Sequence, residues 1–238
     1  MPIAIPQSPE PRVSGGSPFA TAPLAATCRR DSLLLVLPFI ALFFVQLAHH
    51  ELWLDELNAW GLAAGSSSLR QVLHYVHYEA HPPLWYLLLW PLTRLTRAPA
   101  AMKCVEAAIG AAIYLVLAFK APFSRVEKVL LYLSYFVSFE YTVLSRMYGL
   151  LLLFTLIYAW SRSTRPDRIV TNAMLLAAMA NVDTMGILLS SALALEYVLD
   201  RYAARTTERP DWLRTLSAVL LYFGAVALSV FTLNPPGT

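Results

Sequence analysis

The stretch SLLLVLPFIALFFVQLA, residues 32–48, is apolar at nearly every position and carries no charge. A run of this length and composition predicts a helix in a lipid bilayer. No small-residue cleavage site follows it, so we expect an uncleaved signal-anchor helix rather than a removable signal peptide. Arg29 and Arg30 precede the run, and the positive-inside rule therefore places residues 1–31, a flexible tail rich in Pro, Ser, Gly and Ala, in the cytoplasm.

The composition of the whole chain extends this prediction to the rest of the molecule. Of its 238 residues, 58% are hydrophobic and 14% are charged, whereas an average soluble domain has about 45–50% and about 25%. This balance excludes intrinsic disorder and argues against a soluble globular domain. The apolar segments do not alternate and are too long for barrel strands, so we expect helices. The basic residues are scattered in small clusters, which argues against a nucleic-acid partner.

Loop charges predict the number of membrane crossings. Three loops are rich in Arg and Lys; if all three are cytoplasmic, the helices between them pair into hairpins with tips near 144–146 and 181–183. The chain then crosses the bilayer about seven times, and the short run 83–92 is an interfacial or re-entrant helix. The predicted fold is an all-α polytopic transmembrane bundle whose extracytoplasmic first loop carries short interfacial helices. Beyond 32–48, the crossings are assigned to 105–119, 129–144, 147–161, 169–182, 184–195 and 213–233.

The first loop, residues 49–81, holds all five histidines together with several acidic residues. Within it, Asp55 and Glu56 form an adjacent carboxylate pair. Neighbouring side chains on a helix point about 100° apart, so one acid is expected to face a cavity as a general base while the other binds a cation or orients the first. The alternative is an acidic turn that caps a short amphipathic helix.

Three of these histidines, His74, His77 and His81, recur at the spacing of one helical face. Together with Glu79 or Asp55 they could form a divalent-metal site. The alternative for His74 and His77 is a pair of imidazoles at the membrane interface. His81 differs because two prolines follow it, which places it at the entry to a helix.

Two further ionisable residues lie at the hairpin tips. Arg146 suits either bidentate phosphate binding or an anchoring role at the membrane interface. Asp183 follows Asn181 at the second tip, where a plain turn is the alternative to a functional role. Both fall on the same side as the histidine-rich loop, and charged groups that faced lipid there would cost several kcal/mol. We therefore expect them to line a water-filled cavity.

The order of these motifs along the chain resembles the GT-C superfamily of integral-membrane glycosyltransferases. A signal-anchor helix leads to Leu-Asp-Glu at 54–56, then to HPPLWYLLL at 81–89, and then to Ser-Arg-Met-Tyr at 145–148. The sequence is similar to the bacterial relatives of the protein O-mannosyltransferases and of the lipid A aminoarabinose transferase. The resemblance covers residues 32–238.

The resemblance implies an enzyme of the bacterial inner membrane that transfers a sugar from a polyprenyl-phosphate donor. The acceptor would be a hydroxyl group of a glycan, lipid or protein, and the reaction would proceed with inversion on the extracytoplasmic face. Asp55 matches the general base of the family and Glu56 its neighbour. His81, Arg146 and Tyr148 match the groups that would bind the donor phosphate.

A divalent cation, Mg²⁺ or Mn²⁺, is a further implied component, with Glu79 and His81 as candidate ligands. His77 and Asp183 are additional cavity candidates. Asp183 is a departure from the family, because relatives often carry His or Lys near this position.

Two alternatives remain open at this level. Members of the superfamily are usually longer, so residues 32–238 are expected to be a module that lacks a C-terminal portion. One alternative is that the chain is a non-catalytic truncated paralogue or a partner subunit of a membrane glycosyltransferase. A lipid or solute transporter is the other alternative, although the internal repeats typical of transporters are not seen in the sequence.

Overall fold

A computed structural model of the chain describes residues 29–203 and 212–234. These residues form ten α-helices, one short 3₁₀ turn (Pro99–Ala101) and one π-helical turn (Phe136–Glu140), and no strand occurs among them. The all-α fold class is therefore confirmed. The first helix begins at Arg29, so residues 29–31 of the predicted tail are helical; residues 1–28 lie outside the described part. The helices are α1 (Arg29–His49), α2 (Leu54–Gly65), α3 (Leu69–Val76), α4 (Leu84–Leu95), α5 (Met102–Phe119), α6 (Arg125–Leu133), α7 (Met147–Thr164), α8 (Ile169–Ala180), α9 (Thr184–Ala203) and α10 (Trp212–Leu233).

Three helical segments in the described part of the chain are long and apolar enough to cross a membrane. They are Arg29–His49, Pro99–Phe119 and Trp212–Leu233. A fourth apolar helix, Ile169–Ala180, is shorter. By length and apolarity, these segments are compatible with a membrane protein, but they do not confirm the predicted seven crossings.

Polar contacts define two ends of the helical bundle. At one end, which we call the basic end, Arg125 Nη2 lies 2.6 Å from Asp31 Oδ2 and Arg162 Nη2 lies 3.0 Å from Asp200 Oδ2. Lys120 of the same end lies over the ring of Trp160. The opposite end, which we call the cavity end, is defined by Ala48, Asp55, His81, Arg146 and Asp183, which are joined by the contacts described below.

Within residues 29–203 and 212–234, the chain passes between these two ends seven times. The passes alternate in direction because the connecting loops fall at the basic end and the cavity end in turn. The third pass is broken: α6 ends at Leu133, the π-helical turn follows, and residues 141–146 complete the way to the cavity end. Tyr114 of α5 fixes this broken segment by donating a hydrogen bond to the carbonyl of Val137 (3.2 Å). The seven passes are α1, α5, α6 with the π-helical turn, α7, α8, α9 and α10.

Helices α2, α3 and α4 make no pass and form a separate layer that starts and finishes at the cavity end. Leu84 at the start of α4 donates its N–H to the carbonyl of Asn181 (2.9 Å). After α4, the chain reaches Lys103, whose Nζ lies 3.5 Å from the carbonyl of Ala48. Arg94 donates to the carbonyl of Ala64 (2.9 Å) at the end of α2, where free carbonyls favour a cation.

The core has two parts. The larger cluster lies between α1, α2, α4, α5 and α7, and Trp85 is fully buried in it. Close packing of α1 on α5 requires Gly110, because a Cβ there would lie 2.5 Å from the ring of Phe43. The smaller cluster, around Leu176 and Tyr222, joins α7 to α8, α9 and α10.

Candidate functional site

A small polar cavity lies at the cavity end of the bundle. Its volume is about 220 Å³, and four segments form its wall: the first turn of α2, the loop before α4, the start of α4, and the start of α7. The lining includes four of the ionisable residues that the sequence predicts for the site: Asp55, Glu79, His81 and Arg146. The cavity is lined by Asp55, Asn58, Ala59, Glu79, Ala80, His81, Trp85, Tyr86, Arg146 and Met147.

One wall of the cavity is an ion pair between Asp55 and Arg146. Arg146 Nη1 lies 2.5 Å from Asp55 Oδ2, and the Asp55 side chain is 71% exposed whereas that of Arg146 is 15% exposed. Arg146 immediately precedes α7, and its guanidinium lies 5.5 Å from the ring centroid of Tyr148. The ring of Tyr148 thus packs against the guanidinium of Arg146. Tyr148 itself is not part of the cavity lining. The arrangement holds a cation inside the cavity and a solvent-accessible carboxylate at its edge.

His81 is the next group along this wall. Its Nδ1 lies 2.8 Å from Asp183 Oδ1, and its Nε2 lies 3.4 Å from Arg146 Nη2. An ionised carboxylate can only accept, so the Nδ1 of His81 carries the hydrogen and Nε2 is the atom presented to the cavity. When neutral, Nε2 accepts from Arg146; when protonated, it becomes a second donor for an anion.

Asp183 is held ionised by its neighbours. Burial raises its pKa, but hydrogen bonds from His81 and from the backbone N–H groups of Thr184 and Met185 outweigh burial, and the pKa lies below its ordinary value. These backbone bonds make Asp183 the N-terminal cap of α9, a position that favours aspartate. Thr184 also donates to the carbonyl of Ala80 (2.9 Å), which ties α9 to the loop that carries His81.

The opposite wall is acidic. Asn58 donates from Nδ2 to both carboxylate oxygens of Glu79, at 3.2 and 3.3 Å, and the hydroxyl of Tyr86 lies 3.5 Å from Glu79 Oε2. Burial, with the nearby Glu79 carboxylate, raises the pKa of Tyr86 well above its ordinary value, so Tyr86 remains a hydrogen-bond donor at neutral pH. The cavity therefore combines cationic donors on one side with carboxylate and amide acceptors on the other.

Glu56 does not line this cavity, unlike its neighbour Asp55. It is fully buried and accepts hydrogen bonds from the backbone N–H of Trp53 (2.7 Å) and of Ser145 (2.6 Å). Its Oε2 also lies 2.9 Å from Nε2 of His50. Glu56 thus fixes the peptide directly before Arg146, which is a positioning role. The sequence predicts Glu56 as a catalytic partner of Asp55, whereas the structure places it outside the cavity lining.

His77 is likewise placed outside the cavity. Its Nδ1 donates to the carbonyl of Asn234 (2.8 Å), and its ring packs against that of Phe231. The histidine therefore joins the end of α3 to the end of α10, and the sequence-based prediction of His77 as a cavity residue does not match this geometry.

The described residues show no preformed divalent-metal site. Residues 29–203 and 212–234 contain no group of three or more His, Cys, Asp or Glu side chains suited to a metal. Glu79 and His81 both line the cavity, but each is engaged by other side chains, and the guanidinium of Arg146 already supplies positive charge there. The Mg²⁺ or Mn²⁺ that the resemblance implies stays a prediction.

Glu106 was missed by the sequence reasoning. It lies in α5, is fully buried, and neither carboxylate oxygen has a hydrogen-bond partner among the described residues. Its carboxyl packs against Gly149 of α7, and Glu56 is close enough to interact with it electrostatically. The signal that could have revealed it is a lone carboxylate inside the apolar stretch 102–119, since such residues are rare and commonly functional.

Comparisons of this chain with protein-family models, with curated proteins and with solved structures find no match. The chemistry of the cavity is therefore the ground on which a function can be proposed. Its central group is the Asp55–Arg146 pair, with His81 beside it and Asp183 behind it.

Proposed function

We propose that the protein is an integral-membrane glycosyltransferase that moves a sugar from a polyprenyl phosphate to a hydroxyl acceptor. The observation that carries the proposal is the meeting of Asp55, His81 and Arg146 in one polar cavity at the end of an apolar helical bundle. These residues come from three distant parts of the sequence, and they supply the charges that cleavage of a sugar phosphate requires: a base for the acceptor and cations for the leaving group.

The departing phosphate would be bound by Arg146 and His81. Guanidinium groups bind phosphate through paired, charge-assisted hydrogen bonds, and a partly buried one does so more strongly than an exposed one. As the bond between the anomeric carbon and the phosphate oxygen breaks, negative charge grows on the phosphate. Asp183 keeps the imidazole oriented so that Nε2 of His81 faces that charge.

The acceptor hydroxyl would be activated by Asp55. Its oxygen attacks the anomeric carbon from the face opposite the phosphate, the hydroxyl proton passes to Asp55, and polyprenyl phosphate leaves with the bonding electrons. In the structure, Asp55 is paired with Arg146. A donor phosphate that takes over Arg146 would release Asp55 to act as a base, so donor binding and base activation are coupled.

The proposed placement in the bilayer follows from the two ends of the bundle. We assign the seven passes as seven crossings, with the basic end in the cytoplasm and the cavity end outside, in a bacterial inner membrane. The basic end carries Arg125, Lys120 and Arg162, and the N-terminus of α1 lies there. This matches the excess of Lys and Arg that cytoplasmic loops carry.

The test is sugar transfer by the full-length chain in proteoliposomes. The donors are undecaprenyl phosphates that carry radiolabelled mannose or aminoarabinose, and the acceptor is a bacterial envelope extract. We expect labelled product with the wild type and a loss of at least about 100-fold with Asp55→Asn or Arg146→Gln, which remove the base and the phosphate cation.

Glu51→Gln and Arg165→Gln are the matched controls, because both residues are exposed and lie outside the cavity lining. They should transfer sugar at the wild-type rate. Transfer that survives in both cavity variants would contradict the proposal. A wild type that never transfers sugar but co-purifies with another membrane glycosyltransferase would favour the partner-subunit alternative.

A further inference from the structure

A second, larger cavity lies far from the polar one, between α9 and α10. Its volume is about 550 Å³, within the range of small-molecule sites, and α8 forms its floor. We call it the α9–α10 groove. Tyr222 and Ser191 close it on one side, because their hydroxyl oxygens lie 3.0 Å apart. Apolar side chains dominate its lining, among them Leu176, Leu195, Val198, Ala218, Val219 and Phe223.

One side chain in this apolar lining has an unused hydrogen-bond donor. Asn172 of α8 is 2% exposed, and its Oδ1 accepts from the hydroxyl of Ser161 (2.7 Å). Its Nδ2 finds no acceptor within 29–203 and 212–234. Buried polar groups in folded proteins are nearly always hydrogen-bonded, so an orphaned donor on a cavity wall indicates a bound molecule with an acceptor oxygen.

A cation also lines the groove. Arg201, near the end of α9, is half-buried and donates to the hydroxyl of Tyr197 (3.3 Å). No carboxylate of the described segments forms an ion pair with it. Arg201 lies at the basic end, close to the Arg162–Asp200 pair. The groove thus offers an apolar trough, one amide donor and one cation in the same place.

We propose that the α9–α10 groove binds an acyl chain of an anionic glycerophospholipid. The chain would lie along the apolar lining, an ester carbonyl would accept from Nδ2 of Asn172, and the phosphate would pair with Arg201. The proposal rests on the membrane placement that is part of the proposed function, and it is independent of sugar transfer. It assigns this lipid to the leaflet at the basic end, opposite the polar cavity.

Other occupants match the groove less well. Residues 204–211 read ARTTERPD, which is too polar to cover an apolar trough. A helix of a second copy would cover the apolar lining, but its backbone carbonyls are bonded within the helix and offer no acceptor to Asn172. A lipid ester carbonyl is free to accept, and an anionic head group complements Arg201.

The experiment measures lipid binding to the full-length chain in detergent by native mass spectrometry. The probes are phosphatidylglycerol and phosphatidylcholine with identical acyl chains. We expect one tightly retained phosphatidylglycerol per wild-type chain. Arg201→Gln should weaken phosphatidylglycerol about five-fold and bring it to the level of phosphatidylcholine, the scale of one arginine near an anionic surface. Asn172→Leu should weaken both lipids, and Ala218→Trp, which fills the groove, should abolish retention.

Each variant has a matched control. Ser161→Ala, the control for Asn172→Leu, removes the hydrogen bond between Ser161 and Asn172 but leaves Nδ2 of Asn172 in place. Arg165→Gln, the control for Arg201→Gln, removes an exposed arginine at the same end of the bundle. Ala227→Trp, the control for Ala218→Trp, adds an exposed indole elsewhere on α10. All three should retain the lipid like the wild type. Equal lipid retention in wild type, Arg201→Gln and Ala218→Trp would overturn the proposal, as would a lipid-free dimer cross-linked through the groove. Loss of sugar transfer with retained lipid would affect only the proposed function, and failure of the chain to float with liposomes would overturn both.

Discussion

Arg146 Nη1 lies 2.5 Å from Asp55 Oδ2, although 91 residues separate them in the sequence. The pair closes one side of the polar cavity, and each partner limits what the other can bind. An anion that enters the cavity must compete with Asp55 for the guanidinium. The effect of this competition on anion affinity can be measured without any knowledge of the sugar or the acceptor.

Inorganic phosphate should bind more tightly when Asp55 is neutralised. We expect Asp55→Asn to strengthen phosphate binding by a factor of about 1.4 to 5, which corresponds to the 0.2–1 kcal/mol typical of an exposed ion pair. Arg146→Gln should abolish the binding, and Glu51→Gln should leave it unchanged. The measurement is the phosphate-dependent rise of the melting temperature in detergent, followed by tryptophan fluorescence. Weaker binding in Asp55→Asn would show that the carboxylate does not compete for Arg146.

Stability at acid pH should depend on Asp183. Its pKa in the folded protein lies below the ordinary value of 3.8, because the hydrogen bonds from His81 and the α9 backbone outweigh the effect of burial. The unfolded chain therefore binds the proton more readily, so the stabilisation is present above about pH 4 and is lost as the pH falls through the folded pKa. Asp183→Asn should melt at a lower temperature at pH 6 and show a smaller further loss between about pH 5 and pH 3.

The control for this pH dependence is Asp167→Asn, an exposed aspartate in the loop before α8. It should follow the wild-type curve throughout. If Asp183→Asn loses stability on acidification as steeply as the wild type, the carboxylate is not the group whose protonation weakens the α9 cap.

Two glycines provide a matched test of helix packing. At Gly149 a Cβ would lie 2.7 Å from Glu106 Oε1 and in closer contact with the carbonyl of Tyr141, which is backbone and has little room to move. We expect Gly149→Ala to destabilise the protein by about 1–3 kcal/mol. At Gly224 a Cβ would meet nothing within 4 Å, so Gly224→Ala should be neutral or stabilise by up to about 1 kcal/mol. Equal melting temperatures for the two variants would contradict the close approach of α5 and α7.

Much of the fold follows from local sequence, because α1, α4, α5 and α7 to α10 coincide with apolar runs. By contrast, α2 and α3 lie in the polar first loop, and the apolar run 129–144 is broken after Leu133. The run 83–92, predicted to be an interfacial or re-entrant helix, forms α4 (Leu84–Leu95), which makes no pass between the two ends of the bundle. Arg94 of α4 donates to the carbonyls of Ala63 and Ala64 at the end of α2, a contact that no local pattern predicts. Length and apolarity do not mark every pass as a membrane crossing, since α8 has 12 residues and α9 contains three charged residues.

The site was predictable only in part. Asp55, His81 and Arg146 were chosen for their residue types and their side of the membrane, and the structure brings them into one cavity. The roles of Glu56 and Asp183 depend on contacts across 89 and 102 residues, which no local pattern contains. A carboxylate that binds backbone N–H groups and one that faces a cavity look the same in a sequence, so adjacency could not separate their roles.

Labelling of single cysteines should reveal seven crossings rather than three. In a Cys28→Ser, Cys104→Ser background, a membrane-impermeant thiol reagent applied to spheroplasts should modify Glu51→Cys and Met185→Cys at the cavity end. It should spare Arg165→Cys at the basic end until the membrane is permeabilised. All three positions are exposed in the structure, so burial in the protein does not limit the reaction. If α8 does not cross, positions 165 and 185 will react from the same side.

The adjacent carboxylates Asp55 and Glu56 should differ sharply in their effect on stability. Glu56→Ala removes the acceptor for the buried N–H groups of Trp53 and Ser145 and the partner of His50, and each unsatisfied donor costs about 1–3 kcal/mol. We therefore expect a loss of about 3 kcal/mol or more. Asp55→Ala removes an exposed ion-pair partner and should cost no more than about 1 kcal/mol.

The measurement is the free energy of unfolding in detergent for both variants beside the wild type. Sugar transfer is the second measurement, because Asp55→Ala should lose activity while it keeps its fold. Glu56→Gln tests the positioning role directly, because its carbonyl oxygen can still accept one backbone N–H while its amide group cannot accept the other. Its stability should therefore fall between those of the wild type and Glu56→Ala. A Glu56→Ala protein as stable as Asp55→Ala would contradict this role. Glu56 would then not be the group that holds the Ser145–Arg146 peptide in place.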